Sequence, residues 1–321
     1  MTTFRRAFTL QAHFSRRDAV QRLALGAAAA ATGSFDKLMT AVQSEAIISR
    51  AIPSSGERLP VIGLGTWQTF DVGSSTSDRA PLREVLQAFV DAGGRVIDSS
   101  PMYGSSEVVA GDLMAALNQR PKLFVATKVW TSGKARGIQQ MEDSMRKLRA
   151  QPIDLMQVHN LVDVETHLET LAEWKRVGRV RYVGITHYTA GSHDALARMI
   201  ESHRGAIEFV QVNYSVGERE AERRLLPVAR ERGVAVIANR PFAAGDLFRR
   251  VRSRPLPSWA KEIDCESWAQ ILLKFVVSHP SITCAIPATS RVDHLRDNMR
   301  AAFGRQPGES SRRRIVEAVE G

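Results

Sequence analysis

Four side chains in this sequence have types and positions suited to one kind of reaction. Asp98 and Tyr103 stand on either side of a turn in Arg95-Val-Ile-Asp-Ser-Ser-Pro-Met-Tyr-Gly104. Lys128 ends the run Leu123-Phe-Val-Ala-Thr-Lys128, and His159 ends Ile153-Asp-Leu-Met-Gln-Val-His159. A phenol, with a pKa of about 10, is a weak acid at neutral pH, and a neighbouring ammonium favours its ionised form. Lys128 is therefore expected to lower the pKa of Tyr103. A buried lysine needs a partner to stay charged, and Asp98 is the carboxylate placed to supply it. His159 would donate a hydrogen bond to a carbonyl oxygen or relay its proton. Together the four make a general acid beside an oxyanion-stabilising group, which suits protonation of a carbonyl oxygen as hydride reaches its carbon.

Groups so far apart in the chain need a scaffold that gathers them. Eight short runs rich in Val, Ile and Leu recur, at 61–64, 95–98, 123–128, 153–159, 180–186, 209–213, 234–238 and 282–286. Between them lie stretches with helical spacing, such as Leu82/Val85/Leu86/Phe89 and Trp268/Ile271/Leu272/Phe275. Gly93-Gly94, Gly178 and Gly233 each precede a strand, where a helix would end. Strand and helix alternating in this way imply parallel strands with right-handed crossovers, and eight units close into a barrel. The expected fold is α/β, a single (β/α)₈ barrel over 59–303, with a connecting segment at 47–58 and a short helix or tail at 304–321. An open doubly wound sheet is the rival, but Gly63-Leu-Gly-Thr66 continues as Trp67-Gln-Thr69 and not as a glycine-rich phosphate turn. Catalytic groups of such barrels come from the C-terminal strand ends. Here those ends carry Asp98, Lys128, His159, Thr186-His187, Gln211 with Asn213, and Asn239-Arg240, in chain order.

The 321 residues, 44% of them hydrophobic, can bury a large core. The net charge of +10 speaks to solubility and loose association, and without a basic run interleaved with aromatics it does not indicate nucleic-acid binding. Cys265 and Cys284 have no metal-like spacing and make no disulfide framework. Residues 1–46 read as a leader: Phe14-Ser-Arg-Arg17, then the weakly apolar Leu23–Ala31, then Thr32-Gly-Ser34. That order resembles a twin-arginine export signal, which carries folded proteins through the twin-arginine translocation machinery, and it implies a periplasmic or otherwise exported protein. The apolar part is too short to span a bilayer, so no transmembrane span is expected in the mature chain.

Taken as a set, Gly63-Leu-Gly-Thr-Trp67, Ile97-Asp-Ser-Ser-Pro-Met-Tyr-Gly104, Ala126-Thr-Lys-Val-Trp130, Asp154-Leu-Met-Gln-Val-His159, Tyr182-Val-Gly-Ile-Thr186, Gln211-Val-Asn-Tyr-Ser215, Ile286-Pro-Ala-Thr289 and Asp297-Asn298 resemble the aldo-keto reductases over residues 57–303. The resemblance implies a catalytic tetrad of Asp98, Tyr103, Lys128 and His159, and a nicotinamide cofactor, NADPH in preference to NADH, extended across the barrel mouth. It implies cofactor contacts from Thr66, Thr186, His187, Gln211, Asn239, Arg240, Thr289, Arg291 and Asn298, with Gln211 at the nicotinamide carboxamide. The chain departs from the family at several of these positions. Thr186-His187 replaces a Ser-Asn pair, and Asn239-Arg-Pro-Phe242 replaces Tyr-Ser-Pro-Leu, so Arg240 would lie over a ring or reach the pyrophosphate. Ala288 and His294 replace a lysine and an arginine, leaving Arg291 and Arg296 to grip a 2′-phosphate. Trp67, Phe70, Met102 and Trp130 adjoin the tetrad and are expected to wall the substrate pocket, which is open because the family's long C-terminal loop is missing. The function implied is reduction of an aldehyde or ketone to an alcohol. The alternative is a cofactor-holding redox sensor or partner subunit of the same fold with little turnover.

Overall fold

A computed structural model describes residues 46–321, and the residues that carry the export-signal reading lie outside them. Each of the eight apolar runs overlaps a strand. A hairpin comes first: β1 (Ser49–Ala51) pairs antiparallel with β2 (Arg58–Pro60). The barrel strands follow as β3 (Leu64–Gly65), β4 (Val96–Asp98), β5 (Phe124–Val129), β6 (Ile153–His159), β7 (Val180–Thr186), β8 (Phe209–Asn213), β9 (Ala235–Asn239) and β10 (Cys284–Ala285). Every strand from β3 to β10 runs parallel to the next. The ring closes between its first and last members, where Gly63 N donates to Ala285 O at 2.8 Å, Ala285 N to Val61 O at 2.8 Å and Gly65 N to Pro287 O at 3.0 Å. Gly65 is required at this seam, because a Cβ there would stand 2.8 Å from the Ile286 carbonyl oxygen.

Side chains alternate across a strand, and here the alternation sorts the barrel interior by height. Val96, Phe124, Leu155, Tyr182, Phe209 and Ala235 form an apolar cluster in the lower interior. Two or four residues further along the same faces stand Asp98, Lys128, His159, Thr186, Gln211 and Asn239. The same parity that fills the floor with apolar groups therefore delivers a polar layer to the mouth. The floor is sealed by the hairpin, whose Ile52 and Leu59 are fully buried in the same cluster. Each such side chain contributes about 1.5–3 kcal/mol through burial. The segment expected to be a plain connection is thus a plug, stapled by Glu57 to Arg95 and to the Tyr182 hydroxyl, each at 3.0 Å.

The helices cover the outside. They are α1 (Thr76–Asp91), α2 (Ser106–Ala116), α3 (Lys134–Lys147), α4 (Val164–Arg176), α5 (His193–Ser202), α6 (Leu225–Glu231), α7 (Asp246–Val251), α8 (Trp268–Ser278), α9 (Val292–Arg300) and α10 (Glu309–Glu320). In α1 the Ser75 hydroxyl caps Asp78 N, and Leu82, Val85, Leu86 and Phe89 turn inward at the spacing of a single helix face. The C-terminal α10 buries Ile315 and Val319 and is held through Arg312, which meets Tyr214 Oη at 2.7 Å and Glu222 at 3.0 Å. Cys265 and Cys284 are buried free thiols. No helix of the described residues is long and apolar enough to cross a membrane.

Candidate active site

The polar layer opens into a cavity of about 600 Å³ whose wall includes Thr66, Trp67, Asp98, Met102, Tyr103, His159, Thr186, Gln211, Asn239 and Arg240. Nothing C-terminal to Ala288 lines it. At its base Lys128 is fully buried, and its ammonium donates to Asp98 Oδ1 and to Ser99 O, each at 2.7 Å. It also lies 5.1 Å from the centre of the Tyr103 ring. Burial alone would push the Lys128 pKa down, but the Asp98 carboxylate, with the Tyr103 hydroxyl beside it, outweighs burial and holds the ammonium above its ordinary range. The second oxygen of Asp98 accepts from Gln211 Nε2 at 2.9 Å and from Gln157 Nε2 at 3.3 Å. Both oxygens of this buried carboxylate are thereby satisfied, as a charge away from water requires.

Tyr103 differs from expectation. Burial raises its pKa, Lys128 lowers it and Asp98 raises it again, and the net direction is up. The ammonium is present, yet desolvation of a phenolate outweighs it, so Tyr103 holds its proton firmly across the neutral range. His159 is driven the other way, down to about 3, first by burial and then by the charges of Lys128 and His187. Its ring is neutral at pH 7, with one N–H and one bare nitrogen. It can donate a single hydrogen bond but is no reservoir of a proton.

The residues expected at the cofactor divide into two groups. Thr66, Thr186, Gln211, Asn239 and Arg240 line the cavity. The Thr66 hydroxyl is engaged with Asp98 O at 3.0 Å and Ser99 Oγ at 2.9 Å, and the Thr186 hydroxyl donates to Gln211 Oε1 at 3.3 Å. His187 does not line it: its Nδ1 accepts from Tyr188 N at 3.0 Å and Thr189 N at 3.3 Å, which fixes the ring within its own loop. Thr289, Arg291 and Asn298 lie in and beyond the loop into α9, away from the cavity wall. Thr289 Oγ1 accepts from Arg291 N at 3.1 Å, Asn298 is buried, and the Arg291 guanidinium is paired with Asp293 at 2.5 Å.

Of the expected substrate wall, Trp67 and Met102 line the cavity and are each nearly half exposed. Trp130 stands beside it, its ring centre 6.2 Å from that of His159. Phe70 is a correction. Its amide folds back onto Thr66 O at 3.0 Å, and that turn sends the ring under the loop into the outer core, where it is fully buried. Tyr188, Phe242 and Phe248 line the cavity as well, the last two with ring centres 4.7 Å apart. The available signal for Tyr188 and Phe242 was an aromatic residue two or three positions after a strand end. Phe248, on α7, had none.

The closed parallel barrel thus brings Asp98, Tyr103, Lys128 and His159 together at the C-terminal ends of its strands and the loop after β4. The chain belongs to the Aldo/keto reductase family, whose model matches residues 61–313. It is similar to methylglyoxal reductase YeaE of Escherichia coli, 30% identical over 258 residues that span 78% of this chain and 88% of that protein. Among solved structures it is similar to an aldo/keto reductase from Klebsiella pneumoniae in complex with NADP and acetate, with a TM-score of 0.69 at 24% identity over 85% of this chain and 96% of that one. The fold is shared as well with aldo-keto reductase AKR11C1 from Bacillus halodurans, with a TM-score of 0.69 at 20% identity over 85% and 97% of the two chains.

Proposed function

We propose that this protein reduces an aldehyde or ketone to an alcohol with a nicotinamide cofactor, NADPH in preference to NADH, and that Tyr103 is the proton donor. The observation that carries the reading is Lys128, fully buried between the Asp98 carboxylate and the Tyr103 ring on the wall of an open cavity. The mouth also fits the cofactor. Asn239 Oδ1 is a buried acceptor without a partner, and the Gln211 amide nitrogen has a second hydrogen beyond the one given to Asp98, so the pair offers both halves of what a carboxamide seeks. NADP in the solved Klebsiella pneumoniae relative supports the phosphorylated form. When bound, the cofactor supplies hydride to the carbonyl carbon.

The chain's own groups do the rest. His159, neutral, orients the carbonyl oxygen by a single donated hydrogen bond. Tyr103 gives that oxygen its proton as negative charge develops there. Lys128, held by Asp98, stabilises the phenolate left behind, and Gln157 with Gln211 keeps Asp98 in register. Trp67, Met102, Tyr188, Phe242 and Phe248 hold the apolar part of the substrate.

The reading is tested by following NADPH oxidation with 4-nitrobenzaldehyde. Steady consumption through many turnovers per active site is expected. At most one turnover, on cofactor retained by the protein, would make the chain a sensor or partner subunit instead.

A further inference from the structure

The catalytic cavity carries a positive charge that the mechanism above does not use. Arg240 follows the end of β9 and lines the cavity together with Tyr103 and His159. Its backbone sits at φ 51°, uncommon for a residue with a side chain, and is pinned by Ala243 N donating to Arg240 O at 2.8 Å with Pro241 following. Most arginines here are engaged. Among the described arginines that are not classed as exposed, every other guanidinium has an acid or a carbonyl partner, as with Arg50, Arg79, Arg120, Arg254 and Arg312. Arg240 alone has none among the described residues, and its Nε is buried without a partner. The carboxylate on the same wall, Asp98, is committed to Lys128. A half-buried guanidinium without a counter-ion is costly to hold, and its planar fork of donors matches a carboxylate or a phosphate.

We propose that Arg240 receives an oxyanion borne by the carbonyl substrate, a carboxylate or a phosphate, so that the site prefers carbonyl compounds with an acid group over neutral ones of the same shape. The inference rests on the reductase reading and narrows its substrate class. A cavity of about 600 Å³ has room for a carbonyl at Tyr103 and His159 and an acid group on the far side of a ring-sized spacer. The same chemistry is present in a dinucleotide's diphosphate, and the experiment separates the two sources.

The test compares 4-carboxybenzaldehyde with methyl 4-formylbenzoate, which has nearly the same shape and no charge, with NADPH saturating for each variant. In the wild type kcat/KM favours the acid. In Arg240→Met the acid-to-ester ratio of kcat/KM falls about 10- to 100-fold, the scale of a lost hydrogen bond to a charged group. Arg240→Lys, which keeps the charge but not the fork, gives an intermediate ratio and carries the test should the methionine variant fail to fold. A ratio that does not move overturns the proposal, and a weakened NADPH affinity by fluorescence titration alongside it would assign Arg240 to the diphosphate. If the wild type turns over neither aldehyde, the reductase reading fails on its own. The Arg240 proposal is then decided by calorimetric binding of 4-carboxybenzaldehyde, where equal affinity for wild type and Arg240→Met overturns it.

Discussion

Tyr103→Phe lowers kcat for aldehyde reduction by about 10²- to 10⁴-fold, the range that a positioned general acid contributes. The substitution removes one oxygen and keeps the ring, so the packing beside Lys128 survives while the proton donor does not. Neither remaining neighbour can replace it. His159 is neutral above a pKa of about 3 and has no proton to spare at neutral pH. Lys128 is sealed in the barrel, two of its three ammonium hydrogens directed to Asp98 and Ser99. Steady-state kinetics with 4-nitrobenzaldehyde, alongside fluorescence titration of NADPH, measures the loss and shows that it lies in the chemical step. Turnover at the wild-type rate would remove Tyr103 from the mechanism.

Lys128→Met is expected to lower folding stability by about 3–5 kcal/mol as well as to abolish measurable turnover, because removing one partner of a buried ion pair strands the other. Asp98 would keep the two glutamine amides at 2.9 and 3.3 Å but lose the charge at 2.7 Å. The stability loss is larger than lost volume can explain, since methionine nearly fills the lysine site. Urea denaturation of the two proteins reads it directly. A loss below about 1 kcal/mol would mean that Gln157 and Gln211 suffice to hold the carboxylate, against the typical cost of a broken buried pair.

The barrel was legible because each of its strands is a short apolar run with a helix-spaced stretch after it, and the polar layer at its mouth was legible because polar residues end those runs. Strand parity ties the two together: the face that buries Phe124 at the floor must present Lys128 at the mouth. What was hidden falls where local pattern is silent. The hairpin strands are three residues each, too short to show a period, and only their position under the barrel reveals the plug. Phe70 is close to Trp67 in sequence, but a turn separates cavity from core between them. Gln157 lies within a buried strand and draws attention only once Asp98 is seen facing it. The direction of the Tyr103 shift depends on how far burial offsets one ammonium, and sequence supplies the ammonium without the burial.

The pH dependence of kcat/KM for aldehyde reduction, with NADPH saturating, tests the central assignment most directly. Reduction needs the phenol protonated and the imidazole neutral. With His159 titrating at about 3 and Tyr103 above its ordinary value, the profile should be level from about pH 5 to 9 and fall only at higher pH, as the phenol loses its proton. A limb centred at about 6.5, the value of an ordinary imidazole, would instead place the exchanging proton on His159 and contradict Tyr103 as the donor.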